Sequence, residues 1–188
     1  MTNNNKIVII GGGLAGCEAA YQISKFDINV DLYEMRPKVK TEAHQTKYLA
    51  ELVCSNSFRS DDKEYNAVGV LHEELRIADS LILKTADHNK VPAGSALAVD
   101  RDDFAKEVNR TINSISNINI INQEVKDLNE FNDQIVIIST GPLTSKTLTE
   151  SIKIKTSENS LAFYDAIAPI IYKETINMSV AWKQSRYD

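Results

Sequence analysis

Runs of apolar, mostly β-branched residues mark the strands of this chain. Lys6–Ile10, Ile28–Tyr33 and Ile135–Ile138 are the clearest, and the first and last are typical of parallel strands that are buried on both faces. Shorter apolar runs predict strands at Ile118–Ile121 and Glu124–Val125. The strand predictions therefore cover both halves of the chain.

Helical spacing of apolar residues fills most of the gaps between these strands. A helix is predicted from Leu14 to Phe26, and a second, core-facing helix from Ala67 to Leu83. A third helix is predicted over Phe104–Ile115, with an acid of Asp100–Asp103 as its cap, and a short one over Thr144–Ile152.

The alternation of strands and helices predicts an α/β fold, Rossmann-like, with a parallel sheet and helices on both faces. An aromatic-rich strand and turn is expected over Ala162–Tyr172, and the residues after it predict no closing element. A doubly wound sheet normally has more strands than this, so we expect the domain to be incomplete at its C-terminal side.

A glycine-rich turn follows the first predicted strand and opens the first predicted helix. Gly11 permits a tight turn, Gly13 lets a pyrophosphate approach the backbone, and Gly16 lets the helix pack on the strand. The predicted cofactor-binding residues of this turn are Gly11, Gly12, Gly13, Leu14, Ala15 and Gly16. The helix N-terminus adds N–H groups that favour an anion.

Glu34 ends the second predicted strand, about 20 residues beyond the glycines, where an acid can bind a ribose hydroxyl. A glycine turn with an unrelated surface glutamate is the alternative, but strand, glycines, helix, strand and acid occur here in the expected order. An acid at this position disfavours a 2′-phosphate, so the adenosine of FAD or NAD is the expected ligand.

Composition narrows the class of protein only a little. The chain has 188 residues, 43% of them hydrophobic, and a net charge of −5, so a sizeable core is possible and no global attraction to nucleic acid is expected. Two cysteines, with no signal peptide and no apolar stretch near 18 residues, predict a cytoplasmic protein that does not associate with membranes.

The segment Thr41–Ser60 is long and polar for a plain connection, which is typical of a binding loop. It contains Cys54 in a polar setting, with His44 and Arg59 near in sequence to favour a thiolate. A cysteine is nevertheless more often a small buried hydrophobe, and this is the interpretation for Cys17. The cysteines and histidines lack the paired spacing of a metal site, so no metal is predicted.

Several stretches resemble the folate- and FAD-dependent tRNA (uracil-54-C5)-methyltransferases almost from end to end. The matching stretches are GGGLAGCEAA (11–20), YEMRP (33–37), AELVCSNSFRS (50–60), NAVGVLHEELR (66–76), VPAGSALAVDR (91–101), STGPLTS (139–145) and FYDAIAPI (163–170). The first is shared with other FAD proteins, whereas AELVCSNSFRS and VPAGSALAVDR are specific to this family.

This resemblance implies a glutathione-reductase-type FAD-binding domain, of which residues 1–188 form the N-terminal part. The family's insertion domain and return segment are expected downstream. It also implies FAD, 5,10-methylenetetrahydrofolate as one-carbon donor, NADH or NADPH as reductant, and the uracil of the tRNA T-loop as substrate. Cys54 matches one of the two cysteines that matter in the family, the one commonly assigned an accessory or acid–base part, so it is the predicted catalytic residue. The other cysteine is expected beyond Asp188.

Further candidates lie outside the glycine turn. Arg36 follows the acid and could contact the adenosine or a phosphate, although a solvated arginine fits the pattern nearly as well. Thr140 and Gly141 end a strand near the glycine turn and are predicted to contact FAD. Weaker candidates, each balanced by a structural interpretation, are His44, Arg59, Arg101 and Asp165.

Three alternatives to tRNA methylation remain open. The same chemistry could act on ribosomal RNA, because the surface that reads RNA cannot be identified in these residues. The chain could be an inactive FAD-binding module, or, on the glycine motif alone, an NAD-dependent oxidoreductase of unrelated substrate. The oligomeric state is not predicted.

Overall fold

A computed structural model of the chain describes residues 6–158 and 172–182. The strands are β1 (Lys6–Ile10), β2 (Asn29–Glu34), β3 (Ser57–Ser60), β4 (Lys90–Val91), β5 (Ala96–Val99), β6 (Ile118–Asn122) and β7 (Ile135–Ile138). The α-helices are α1 (Leu14–Ser24), α2 (Ala67–Ile77), α3 (Leu81–His88), α4 (Arg101–Ser114) and α5 (Lys146–Thr156), and short 3₁₀ turns lie at Leu128–Phe131, Gly141–Leu143 and Lys173–Thr175.

The main sheet has four parallel strands in the order β6, β2, β1, β7. In register, Ile9 of β1 lies between Leu32 of β2 and Ile137 of β7. From β1 the chain passes to β2 on one side, and β7 joins β1 on the other side. The order of the strands therefore reverses next to β1, and ligands of such sheets bind at the carboxyl ends of the strands at this point.

Apolar side chains cover both faces of the main sheet. Ile9 of β1 belongs to the larger cluster, with Cys17 of α1 and Phe104 of α4. Its neighbour Ile10 belongs to the smaller cluster on the opposite face, with Leu148 of α5. Because successive side chains of a strand point to opposite faces, β1 is covered on both sides, which confirms the predicted α/β fold with helices on both faces.

The second sheet was not predicted. It is a small antiparallel sheet in the order β3, β5, β4, in which Lys90 pairs with Val99 and Ser57 pairs with Ala98. Its strands have only two to four residues, too few for an alternating pattern to be recognised. Its central strand, β5, is buried and packs beside α3.

An acid of Asp100–Asp103 was predicted to cap this helix, and Asp100 is the cap of α4: its carboxylate accepts the N–H groups of Asp102 and Asp103, each at 3.0 Å. The helix begins at Arg101, three residues before the predicted start. The predicted strand at Glu124–Val125 is wrong, because this segment is irregular and Val125 packs into the smaller core cluster. Residues 159–171, which hold most of the predicted Ala162–Tyr172 strand and turn, lie outside the described residues.

The predicted single helix over Ala67–Leu83 is wrong in two respects. The segment forms two helices, α2 and α3, which are separated at Asp79, whose φ is +55°. Furthermore, α3 buries its apolar side chains, whereas α2 packs Leu75 against the core but exposes Leu71 and leaves Ile77 80% exposed.

Polar contacts explain which face α2 buries. His72 is buried and lies 3.0 Å from a carboxylate oxygen of Asp61, and Arg76 pairs with both Asp61 and Asp87. Gly69 packs directly against the backbone of Asp62, where a side chain would not fit. These contacts bury His72 and Gly69 on the inner side of α2, beside Leu75, which packs against the larger core cluster, and leave Leu71 and Ile77 on the solvent side.

Strand β7 was predicted to be buried on both faces, and this is also wrong. It pairs with β1 but lies at the edge of the sheet formed by the described residues, and Ile135 is 66% exposed. The apolar run predicted the strand correctly, but its position in the sheet depends on neighbours that a local pattern does not reveal.

Candidate functional site

A cavity of about 310 Å³ lies at the carboxyl edge of the main sheet, where the strand order reverses. Among the residues that line it are Gly11, Gly12, Gly13, Leu14, Ala15, Glu34, Arg36, Thr140 and Gly141. These are all of the predicted cofactor-binding residues except Gly16. The volume is at the lower end of the range for small-molecule sites.

Two glycines of the turn are required by its geometry. Gly11 has a φ of +107°, a conformation that residues with a side chain rarely adopt, and a Cβ there would lie 2.9 Å from the backbone of Ser139 and Thr140. A Cβ on Gly16 would collide with the carbonyl oxygen of Gly11 and lie 2.7 Å from Ser139 Oγ. Gly16 thus packs α1 against the turn, behind the cavity, as the sequence predicted.

Gly13 differs from these two, because a Cβ there would meet no atom within 4 Å. It is the N-cap of α1 and lines the cavity, and no side chain caps this helix. The other four described α-helices each have a side-chain cap, supplied by Asn66, Ser80, Asp100 and Ser145. The N-terminus of α1 therefore presents backbone N–H groups and an open space to an anionic group.

Ser139, which follows β7, bonds the end of β1 and the start of the glycine turn. It was not identified from the sequence. Its hydroxyl lies 3.0 Å from the carbonyl oxygen of Ile10 and 2.9 Å from that of Gly11, and its N–H donates to Ile10. Thr140 and Gly141 follow it along the cavity wall. A polar residue directly after an apolar strand was the signal that could have identified Ser139.

Glu34 is buried, and hydrogen bonds occupy both of its carboxylate oxygens. One oxygen accepts the N–H of Gly12 at 3.0 Å, and both are bonded by Arg36, through its backbone N–H and through Nε and Nη2 at 2.9 to 3.1 Å. Glu34 thus stabilises the glycine turn through its hydrogen bond with Gly12. The contact of Glu34 with a ribose hydroxyl remains a prediction. Its carboxylate oxygens would have to accept this hydrogen bond in addition to those from Gly12 and Arg36.

Arg36 is not a solvated surface residue: its side chain is 2% exposed. Its guanidinium lies between Glu34 and Glu51, with Nη1 at 3.0 Å from Glu51. Glu51 also lines the cavity and was missed, because nothing in the sequence marks it as a partner of Arg36. Since two carboxylates surround the one guanidinium, the group carries a net negative charge and offers no site for a 2′-phosphate.

These contacts shift the titration of Glu34. Burial by itself raises the pKa of this carboxyl, but the hydrogen bonds and charge of Arg36, together with the N–H of Gly12, outweigh burial and hold the pKa below its ordinary value of 4.5. A carboxyl whose pKa is lower in the folded than in the unfolded state stabilises the fold fully above the unfolded value.

We therefore expect the free energy of unfolding to decrease as the pH falls below about 4.5, because Glu34 must then be protonated against its folded-state preference. Urea denaturation between about pH 3 and pH 7 measures this dependence. Asp61 and Glu107, whose pKa values are also lowered, contribute to the same slope. In the Glu34→Gln variant, the free energy of unfolding should therefore still decrease at low pH, but less steeply. An unchanged dependence on pH would contradict the role of Glu34.

Cys54 lies on an exposed part of the loop that runs beside the cavity. Its neighbour Val53 lines the cavity, and Arg101 donates a hydrogen bond to the carbonyl oxygen of Cys54 at 3.1 Å. Cys54 itself and Gly16 are the two predicted site residues that do not line the cavity. The catalytic role of Cys54 remains a prediction.

His44 also lines the cavity, and its Nδ1 lies 2.6 Å from Thr41 Oγ1. Burial, and secondly the charge of Arg36, hold the pKa of His44 below its ordinary value, so this ring favours the neutral form. Of the weaker candidates, Arg59 is exposed with a φ of +75°, and Asp165 lies outside the described residues.

Cys17 is buried in the larger core cluster, as predicted, and its thiol lies 3.4 Å from the carbonyl oxygen of Gly12. Burial, and secondly the charge of Glu34, raise its pKa to about 12. A thiol in this environment is not ionised near neutral pH and is shielded from reagents.

The two cysteines should consequently differ in reactivity. Iodoacetamide at neutral pH is expected to alkylate Cys54 and to leave Cys17 unmodified, since alkylation requires an accessible thiolate. Peptide mass spectrometry of the native chain measures both sites at once, with the urea-denatured chain as the control in which both react. Equal modification of the two thiols in the native chain would contradict this structure.

Within residues 6–158 and 172–182, no group of three or more His, Cys, Asp or Glu side chains could hold a metal ion. No helix in the same residues is long and apolar enough to cross a membrane.

The methylenetetrahydrofolate–tRNA-(uracil-5-)-methyltransferase TrmFO of Bartonella henselae is 59% identical over 182 residues, which is 97% of this chain and 39% of that protein. Proteins of the same name from Jannaschia sp. and Bradyrhizobium diazoefficiens are each 55% identical, over 100% and 99% of this chain and 41% and 39% of theirs. The chain thus spans about two fifths of the length of the curated relatives that it matches.

A solved structure titled "Crystal structure of MHPCO, Y270F mutant" is similar over 61% of this chain and 31% of that one, at 11% identity, and its TM-score of 0.35 is too low to argue from. The family model described as "Glucose inhibited division protein A" matches residues 6–188. This match includes the glycine turn, the Cys54 loop and the end of β7. The chain therefore belongs to the glucose inhibited division protein A family.

Proposed function

We propose that this chain forms the FAD-binding part of an RNA methyltransferase that transfers a one-carbon unit from 5,10-methylenetetrahydrofolate to C5 of uracil-54 in tRNA. One structural observation supports the cofactor part of the proposal: the open space at Gly13, at the uncapped N-terminus of α1, lies in the cavity where the order of the strands reverses. The names of its relatives support the reaction and the substrate.

The residues around the cavity fit the ADP half of FAD. The N–H groups at the start of α1, at Gly13, Leu14 and Ala15, would hold the pyrophosphate, and the absence of a Cβ on Gly13 leaves space for it. Glu34 and its partner Arg36 lie at the end of β2, on the side where the adenosine ribose binds in folds of this type. Thr140 and Gly141 line the same cavity.

Cys54 is the residue of this chain that we propose to act on RNA. C5 of uracil becomes nucleophilic once a thiolate adds to C6, so an accessible cysteine beside the cofactor cavity is the group that this chemistry needs. Cys54 is exposed and follows Val53, which lines the cavity. Bound FAD, reduced by NADH or NADPH, would supply the reducing equivalents that turn the transferred one-carbon unit into a methyl group.

The first test is the cofactor. The purified chain is expected to show a flavin absorption spectrum, with FAD released on denaturation in a ratio of about one per chain if the cavity is filled. NAD binding without flavin would instead support an oxidoreductase and contradict the proposal.

The second test is the reaction. The chain, extended by the insertion domain and return segment that the resemblance implies, is incubated with 5,10-methylenetetrahydrofolate, NADH or NADPH, and unmodified tRNA or ribosomal RNA, and 5-methyluridine is measured. We expect methylation of tRNA that the Cys54→Ala variant loses and that Ser55→Ala, a substitution at the exposed neighbouring residue, retains. Methylation of ribosomal RNA alone would correct the substrate, and flavin binding without methylation would indicate a cofactor-binding module.

A further inference from the structure

The loop that holds Cys54 is attached to the glycine turn at Leu49, Ala50 and Glu51. Leu49 lies directly against Gly12, since a Cβ on Gly12 would be 2.6 Å from Leu49 Cδ2. The N–H of Ala50 donates to the carbonyl oxygen of Gly12 at 2.9 Å, while the N–H of Gly12 donates to Glu34. The loop and β2 thus hold Gly12 from opposite sides.

Ala50 shows that this attachment is specific. It is fully buried and has a φ of +53°, a left-handed conformation that a residue with a side chain adopts only when its surroundings impose it. Its N–H bonds Gly12 of the glycine turn, and the next residue, Glu51, pairs with Arg36.

Arg36 connects the two parts through a nearly dry ion triad. The side chains of Arg36, Glu34 and Glu51 are 2%, 7% and 10% exposed, so their charges are screened little by water. Glu51 also accepts hydrogen bonds from the N–H groups of Gln45 and Thr46 and from the Thr46 hydroxyl, at 2.8 to 3.2 Å. The Glu51 carboxylate therefore bonds several residues of the loop and connects them, through Arg36 and Glu34, to Gly12.

Cys54 lies three residues beyond Glu51, and Arg101 of α4 holds its carbonyl oxygen. We propose that Glu51 and Arg36 are positioning residues, which couple occupancy of the nucleotide cavity to the ordering of the loop that presents Cys54. This inference rests on the proposed FAD site and on Cys54 as the reacting thiol. In this arrangement, a ligand that steadies Gly12 and Glu34 also steadies residues 45–51.

Amide hydrogen exchange of the chain with and without ADP tests this coupling. ADP is the probe because it corresponds to the half of FAD that is proposed to bind at the glycine turn and lacks the flavin ring. In the unmodified chain, ADP is expected to slow exchange at Gln45, Thr46 and Ala50 by roughly tenfold, a usual size for coupled sites. In Glu51→Gln, ADP should still protect the start of α1, but its effect at Gln45 and Thr46 should fall below about twofold.

A purely structural role for Glu51 would raise exchange throughout its surroundings without removing the response to ADP. Glu107→Gln is the matched control, because Glu107 is also a partly buried, hydrogen-bonded carboxylate but bonds His88 and Asn89 instead. Thr46→Val removes one donor to Glu51 without changing charge, and it should give an intermediate loss even if Glu51→Gln does not fold.

The outcomes separate the inference from the function on which it rests. Protection of α1 without protection of residues 45–51, or full protection of these residues in Glu51→Gln, would overturn the coupling and leave the cofactor site intact. No protection at α1 in the unmodified chain would overturn the nucleotide site itself, and the coupling with it.

Discussion

The Arg36→Met variant is expected to unfold with a free energy about 3–5 kcal/mol lower than the unmodified chain, because it leaves two buried carboxylates without their cation. Glu34 and Glu51 both lie within 3.0 Å of the Arg36 guanidinium and are largely shielded from water. Methionine keeps most of the volume of the side chain but neither its charge nor its donors. Urea denaturation at neutral pH measures the difference.

A matched control is Lys153→Met, which breaks the pair with Glu150 on the surface of α5. Glu150 is well exposed, so the expected change in the free energy of unfolding is below about 0.5 kcal/mol. A similar decrease in the free energy of unfolding for the two variants would show that the buried contacts of Arg36 do not stabilise the fold as expected.

Two glycine substitutions in one turn should affect different properties: Gly13→Ala mainly weakens ligand binding, and Gly16→Ala mainly lowers stability. Gly13→Ala adds a Cβ in open space, so it should cost less than about 1 kcal/mol of stability, the loss of a favourable N-cap. The same methyl group would occupy the space where a pyrophosphate approaches the helix, and ADP is expected to bind roughly 100-fold more weakly, or about 2.7 kcal/mol.

Gly16→Ala should instead destabilise the fold by about 3 kcal/mol, because its Cβ would collide with the carbonyl oxygen of Gly11, which is backbone and cannot turn aside. Helix propensity alone predicts the opposite sign, a gain of about 1 kcal/mol for alanine inside a helix. Thermal or urea unfolding and calorimetric titration with ADP, applied to both variants, decide between these expectations. A stable Gly16→Ala chain, or unchanged ADP binding by Gly13→Ala, would contradict the assigned roles.

Local patterns predicted the elements around the cofactor cavity well. The run Lys6–Ile10, the glycine spacing and the acid at Glu34 were sufficient, because each reports a requirement of backbone geometry that acts over a few residues. Asp100 was predictable as a cap for the same reason, since its carboxylate bonds N–H groups two and three residues ahead. Features that depend on interactions between residues close in sequence can therefore be predicted from the sequence.

Predictions failed where partners are distant in sequence. The spacing of apolar residues in α2 indicated a core-facing helix, but His72 and Arg76 contact Asp61 on the inner side of the helix, and Leu71 and Ile77 are exposed. The edge position of β7 and the antiparallel pairing of β5 likewise depend on which strands become neighbours. No window of adjacent residues contains this information.

By itself, the sequence determined the parallel α/β fold, the glycine turn at Gly11 to Gly16, and the acid that follows β2. Only the tertiary structure decided that Glu34 is engaged by Arg36, that Arg36 is buried rather than solvated, and that Glu51 joins the Cys54 loop to the turn. The reason is physical: backbone conformation is governed by neighbouring residues, whereas the charge balance of a buried arginine depends on carboxylates that the folded chain brings together.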